Sequence, residues 1–319
     1  MIINVFPHNF LSATKSMGDN GFESNSSSKR LTLHLTYSET NFEITFTCVT
    51  ITIAFFGVIG NLAAIGKIIY DQKYHTPTFA VIGQLALADF LSVITTTFYT
   101  KTNISKIWLH ISFIVNTSVF SSYFHVCFLS VVRYLITVHP LQSRPHLTVT
   151  AVCLCSLTIW ISSAVIGTCF TKFSISNTFS DSIFIIILDV VLLLTVFFIM
   201  ILLHVKKIRS LQSSLSVTEQ SQRRVNIVVT VIISIFAIFQ LIIISLEILT
   251  IIYFQLFSDE IVIYINYLTL CYMFIGCLNF SCNPYILFFF TIYLGLCVKY
   301  SVLYSTTCII SNIHGYVFM

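Results

Sequence analysis

Three carboxylates stand inside long apolar runs: Asp89, at the end of Leu85-Ala86-Leu87-Ala88-Asp89, then Asp189 and Glu247. A charged side chain at the centre of a membrane helix costs about 3 kcal/mol or more, so each must face protein, a watery cavity or a counter-ion. The chemistry open to such acids is the holding of cations. Asn61, Ser122, Asn279 and Asn283, each on another apolar segment or on its neighbour, could converge on Asp89 as a mid-membrane polar cluster. Asp189 and Glu247 share their depth with Asn116, Gln240, Tyr264, Asn266, Tyr267 and Tyr272. Two acids facing one cavity suit an ammonium or guanidinium, such as a peptide amine or an Arg side chain. The blander reading of either acid is hydration near a helix end. Catalysis has no candidates, because no His/Asp/Glu or Ser/His constellation falls at a common depth. Cys127, Cys153, Cys155, Cys271, Cys277 and Cys282 lack ligand-type spacing, which indicates neither a zinc site nor a disulfide framework. No cofactor is called for.

The elements that must position these residues follow from composition. With 56% hydrophobic and only 9% charged residues, the chain carries more apolar surface than a water-soluble core could hide. A mean hydropathy of +0.92 points the same way, to lipid as the solvent. Long apolar segments run over 44–70, 78–100, 108–134, 147–170, 182–205, 225–257 and 261–290. The predicted fold is therefore all-α, a bundle of seven transmembrane helices over 44–290, preceded by a polar tail (1–43) and followed by an atypical apolar tail (291–319). A net charge of +4, scattered over loops, does not make a nucleic-acid surface.

Basic residues are retained on the cytoplasmic side of a membrane. Ten of the 16 Lys and Arg (Lys67, Lys73, Arg133, Arg144, Lys206, Lys207, Arg209, Arg223, Arg224 and Lys299) fall on the side of the even-numbered loops and the C-terminus. Lys15, Lys29, Arg30, Lys101, Lys106 and Lys172 fall on the other, three of them in the long tail where the rule counts least. The bias predicts an extracellular N-terminus in a multi-pass plasma-membrane protein. That orientation makes two glycosylation sequons usable, Asn25-Ser26-Ser27 and Asn103-Ile104-Ser105. Residues 1–43 lack the charged n-region, apolar run and small-residue site of a cleaved signal peptide.

Gly60-Asn61, the Leu-Ala-Leu-Ala-Asp run ending at Asp89, Val132-Arg133-Tyr134, a lone Trp160, and Leu278-Asn279 followed by Asn283-Pro284 occur in order on five predicted helices. Over about residues 44–290 the chain resembles a rhodopsin-like (class A) G-protein-coupled receptor. Its Ile, Phe, Asn and Tyr usage is similar to that of divergent flatworm-type orphan receptors. The resemblance implies an extracellular ligand and a heterotrimeric G protein as partners. It further implies a sodium ion among Asn61, Asp89, Ser122, Asn279 and Asn283, where an ion-free hydrogen-bond network is the competing reading. Arg133 and Tyr134, followed by His139-Pro140-Leu141, would meet the G protein when helix six swings outward; an Arg that merely anchors the helix end is the alternative.

The pattern also departs from the family. Val132 replaces the acid that pairs with the arginine, and Gln222 stands where helix six often carries another, so both partners of a resting-state lock are missing. Their loss shifts population toward the open form unless other contacts hold it closed. Phe236-Ala237-Ile238-Phe239-Gln240-Leu241-Ile242 lacks the Trp and kinking Pro of a Cys-Trp-x-Pro sequence, and a Pro-free helix is straighter. Helix five has no Pro, and Leu287 ends the Asn283-Pro284 motif where the family has Tyr. No Cys near Trp108 can bond to the second outer loop, where Cys169 lies near. Asn116 occupies the helix-three position where biogenic-amine receptors carry an acid, which argues for a peptide ligand over a small amine. The absence of a helix-seven Lys removes a retinal Schiff base.

Competing functions are a transporter or channel-type protein, disfavoured because no internal repeat or paired helix break appears, and a receptor-like protein without signalling. The tail from Leu287 to Cys297 stays apolar, with Lys299 the one Lys or Arg after Arg224. An over-long tilted helix seven, an interfacial helix anchored by palmitoylated Cys297, and an end translated out of frame or from an intron all fit it. Residues after about 290 are expected to contribute little to the bundle.

Overall fold

A computed structural model describes residues 26–99, 105–143, 145–175, 179–213, 220–256 and 267–286. Its long helices are Ser26–Tyr70 (helix one), Pro77–Tyr99 (two), Ser105–Val138 (three), Val149–Ile175 (four), Phe179–Ser213 (five), Gln220–Leu256 (six) and 267–286 (seven). Short connections hold a 3-10 turn at Gln72–Tyr74 and a single α-helical turn at Pro140–Ser143. Among the described residues there is no strand.

Several helices overrun the predicted apolar segments. Helix one begins at Ser26 rather than 44, helix three continues to Val138, and helix five continues to Ser213. Hydropathy marks only the part that lipid must cover, whereas the backbone ladder continues as long as no Pro breaks it. Six described helices are long and apolar enough to cross a membrane; helix seven is continuous over 267–286, and Asn279, Asn283 and Pro284 lower its hydropathy. The Pro-free helices five and six are continuous, as their sequences require.

Local signals start the helices. Pro77 opens helix two, where its missing N–H costs nothing, and Thr148 caps helix four by accepting from the Ala151 N–H at 3.1 Å. Hydroxyls along the spans return to their own helix: Ser92 donates to the Ala88 carbonyl and Thr195 to that of Val191. A Ser or Thr so satisfied no longer asks for water inside lipid.

Helix three is the hub and packs against helices two, four, five and six. Its Phe120, Tyr123 and Val126 lie in a buried cluster with Val93, Phe170, Leu193, Met200, Phe236, Ile243 and Phe280. Leu129 and Val132 join Val81, Ile82, Val152, Ile232 and Ile233 in a second cluster toward the Arg133 end. Outward positions such as Phe55, Ile59, Leu154, Leu157, Ile161, Val165, Phe198 and Leu202 are exposed, as lipid-facing residues should be. Helices one and seven approach closely. A Cβ at Gly57 would collide with the Ser281 side chain, and one at Gly60 would come within 2.9 Å of Pro284.

Candidate functional site

The mid-bundle cluster is assembled around Asp89, which is fully buried on helix two. Ser122 on helix three donates to one carboxylate oxygen, and the Asn283 amide on helix seven donates to the other at 2.7 Å. Asn61 lies on the same side of the bundle, its amide N–H groups donating to the carbonyls of Gly57 and of Phe280, both at 3.0 Å. Three amide oxygens, on Asn61, Asn279 and Asn283, are buried with no hydrogen-bond partner. Orphaned acceptors of this kind are what a hard cation or a few waters would satisfy, and Asn283 brings one of them to the Asp89 carboxylate. All five residues picked from the sequence are buried, and Asp89 directly joins three helices through two of them.

A second cluster forms where helices three, five, six and seven face one another. Asp189 and Glu247 are both buried, and their side chains meet in a carboxyl–carboxyl hydrogen bond. Tyr123 interacts with Tyr272 and with Gln240, and both acids act electrostatically on Tyr123 and Tyr272. The Gln240 amide is buried with neither its nitrogen nor its oxygen in a hydrogen bond. Below it, Tyr123 packs edge-on to Phe236 at 5.8 Å and stacks on Phe280 at 6.2 Å. Gln240 thus sits on the buried face of helix six beside Tyr123 and one turn from Phe236, within the stretch that lacks the family's Trp.

Of the residues assigned to this cavity from sequence, the structure brings Asp189, Gln240, Glu247 and Tyr272 together. Asn116 is tied instead to helix four, donating to the Thr171 hydroxyl at 3.1 Å. Tyr267 packs edge-on against Phe42 at 5.1 Å, at the seam of helices seven and one. Tyr264 and Asn266, the sequons at Asn25 and Asn103, and the tail from residue 287 lie outside the described residues, as do the side chains of Trp108 and Gln222. Tyr123 was not among the sequence candidates. A phenol one residue after Ser122, in the middle of an apolar helix, was the signal that could have found it.

The opposite end holds Arg133, 5% exposed, beside Val132, 0% exposed and packed in the apolar cluster. Apolar packing therefore fills the position where an acid would have paired. Tyr134 lies edge-on to His139 at 5.9 Å. Lys207 of helix five, 3% exposed, lies within electrostatic reach of Arg133 and donates to the Thr230 hydroxyl of helix six at 2.9 Å. Trp160 bonds Gln84 at 3.1 Å and lies 6.0 Å from His125, which knits helices two, three and four.

The sequence profile of the seven-transmembrane receptor (rhodopsin family) matches residues 60–287, well over half the chain and nearly all of the described bundle. This chain belongs to the rhodopsin family of seven-transmembrane receptors. The receptor is similar to mouse trace amine-associated receptor 9, at 34% identity over 34% of each chain. It is also similar to mouse trace amine-associated receptor 2 (32% identity; 33% of this chain, 34% of that one) and rat trace amine-associated receptor 8a (33%; 40% and 41%). The matches span about a third to two fifths of the length of these curated relatives. The receptor is a multi-pass membrane protein, with the helical bundle that its composition required.

Proposed function

We propose that this receptor binds a ligand bearing an ammonium or guanidinium group between Asp189 and Glu247 and transmits that event to a heterotrimeric G protein at its Arg133 end. The observation that carries the reading is the buried contact of the two acids, framed by Tyr123, Gln240 and Tyr272. Two carboxyl groups in contact gather several acceptor oxygens at one buried place. A ligand cation can lie between them and donate several charge-assisted bonds.

The names of the relatives speak of trace amines, which widens the ligand class from the peptide expected on sequence to small amines. Helix three offers Asn116 where an amine receptor would carry an acid, and the pair on helices five and six supplies the missing charge from elsewhere. A peptide amine and a small amine present the same group to this pair.

Helix six is the natural transmitter, because Glu247, Gln240 and Phe236 lie on its one buried face. Being Pro-free, it would move as a rod pivoting on the Tyr123–Phe236–Phe280 contacts rather than bending at a kink. In this reading the Asp89 cluster binds sodium in the resting state, the N-terminus is extracellular, and the bundle sits in the plasma membrane.

The deciding experiment expresses the receptor in cells carrying readouts for several G-protein families and challenges them with a panel of amines and a peptide library. A cationic agonist whose potency collapses in Asp189→Asn and Glu247→Gln, at unchanged surface expression, supports the proposal. An agonist without a cationic group, or one indifferent to both substitutions, refutes it. The second reading, a receptor-like protein without signalling, draws on Val132, Gln240 and the unkinked helix six, and silence in every readout at full surface expression would favour it.

A further inference from the structure

Helix five buries Ile185, Ile186, Asp189, Leu193, Val196, Met200 and Lys207. Its inward residues therefore include an acid toward one end and a base toward the other. Lys207 has three N–H donors, one of them used by Thr230, and the like-charged Arg133 acts on it electrostatically. The Arg133 Nε has no hydrogen-bond partner, nor has Nδ1 of the half-buried His204, one turn before Lys207 and also acting on it. Among the described residues no carboxylate acts on Arg133 or Lys207. Two buried cations side by side, without an acid, are costly unless an anion lies between them.

We propose that these residues form an anion site, in which a phosphate oxyanion, free or on a lipid headgroup, is held by Arg133 and Lys207 with His204 beside them. Depth and donor geometry favour phosphate. The spans end at Val138 and Ser210, five and three residues beyond Arg133 and Lys207, or about 7 Å and 5 Å along a helix. That places the cations within reach of the headgroup layer. A guanidinium fork and an ammonium match an oxyanion with several acceptor oxygens better than a spherical halide. The anion would stand in for the acid that Val132 replaces, bridging helices three and five and, through Thr230, helix six. The site does not depend on what binds at the opposite end.

The test uses the purified full-length receptor, lipid-depleted in neutral detergent, and follows its thermal midpoint against sodium phosphate, chloride or gluconate at matched sodium and ionic strength. A parallel arm uses phosphatidylcholine nanodiscs with and without phosphatidic acid. We expect a saturable rise with phosphate, or with phosphatidic acid if the headgroup is the source. Lys207→Gln should weaken the apparent affinity about tenfold, and His204→Gln, at a more tolerant position, should weaken it less. Lys206→Gln, at the exposed neighbour, should leave it unchanged. An equal response to chloride overturns the oxyanion assignment. A response identical in Lys207→Gln and His204→Gln, or none to either phosphate source, overturns the site.

Discussion

The two ends of helix five carry opposite charges on one inward face, and neither end is neutralised by the other. Asp189 meets a second acid, Glu247, whereas Lys207 meets a second base, Arg133. Their separation of 18 positions corresponds to about 27 Å of helix, too far for either pair to relieve the other. In the proposed reading a cation serves the acid end, and an anion or a partner protein the basic end. Asp89, midway, differs from both, since Ser122 and Asn283 already satisfy its oxygens. That contrast separates a lone acid held by neutral donors from charges gathered in like-signed pairs.

The comparison breaks most visibly at the acid end. Asp189→Asn combined with Glu247→Gln should weaken a cationic agonist by about 100-fold or more in competition binding, from two charge-assisted bonds of about 1.5–3 kcal/mol each. Retained affinity would show that the paired acids serve packing alone. At the basic end, Val132→Asp should supply Arg133 with a carboxylate in cis and lower ligand-free signalling by about tenfold, as one partly buried ion pair would. Unchanged basal output, measured at equal surface density, would mean that the Leu129–Val132–Ile232 packing alone sets the resting state.

Asp89→Asn tests the middle. Any sodium dependence of thermal stability or agonist affinity should vanish, while the amide keeps part of the hydrogen bonding to Ser122 and Asn283. A persistent sodium response would place the ion elsewhere. A smaller loss is expected for Tyr123→Phe, which deletes one hydroxyl between Gln240 and Tyr272 and should cost about 1 kcal/mol of thermal stability or agonist binding. Orientation, finally, fixes which end meets which compartment. Asn25→Gln with Asn103→Gln should raise gel mobility without changing folding, and an unchanged mobility would remove the best support for an extracellular N-terminus.

Sequence alone determined the all-helical membrane bundle and the inward placing of Asn61, Asp89, Ser122, Asn279 and Asn283. Lipid makes those features nearly one-dimensional: an apolar run must be a helix, and an intramembrane Asp must turn inward. Gly60-Asn61, Asp89, Ser122 and Asn283-Pro284 were legible for that reason. The stripe from Asp189 to Lys207 was also within reach by periodicity, yet Lys207 read as one of several basic residues at a helix end, because charge counts ignore which way a side chain points. Tertiary structure alone decided the partners. Asn116 has the depth of a ligand contact but bonds Thr171, while Tyr123, passed over, becomes the centre of the second cluster. Which helix faces which is set by packing across the whole bundle, through close approaches such as Gly57 on Ser281, and no local pattern encodes a contact between residues a hundred positions apart.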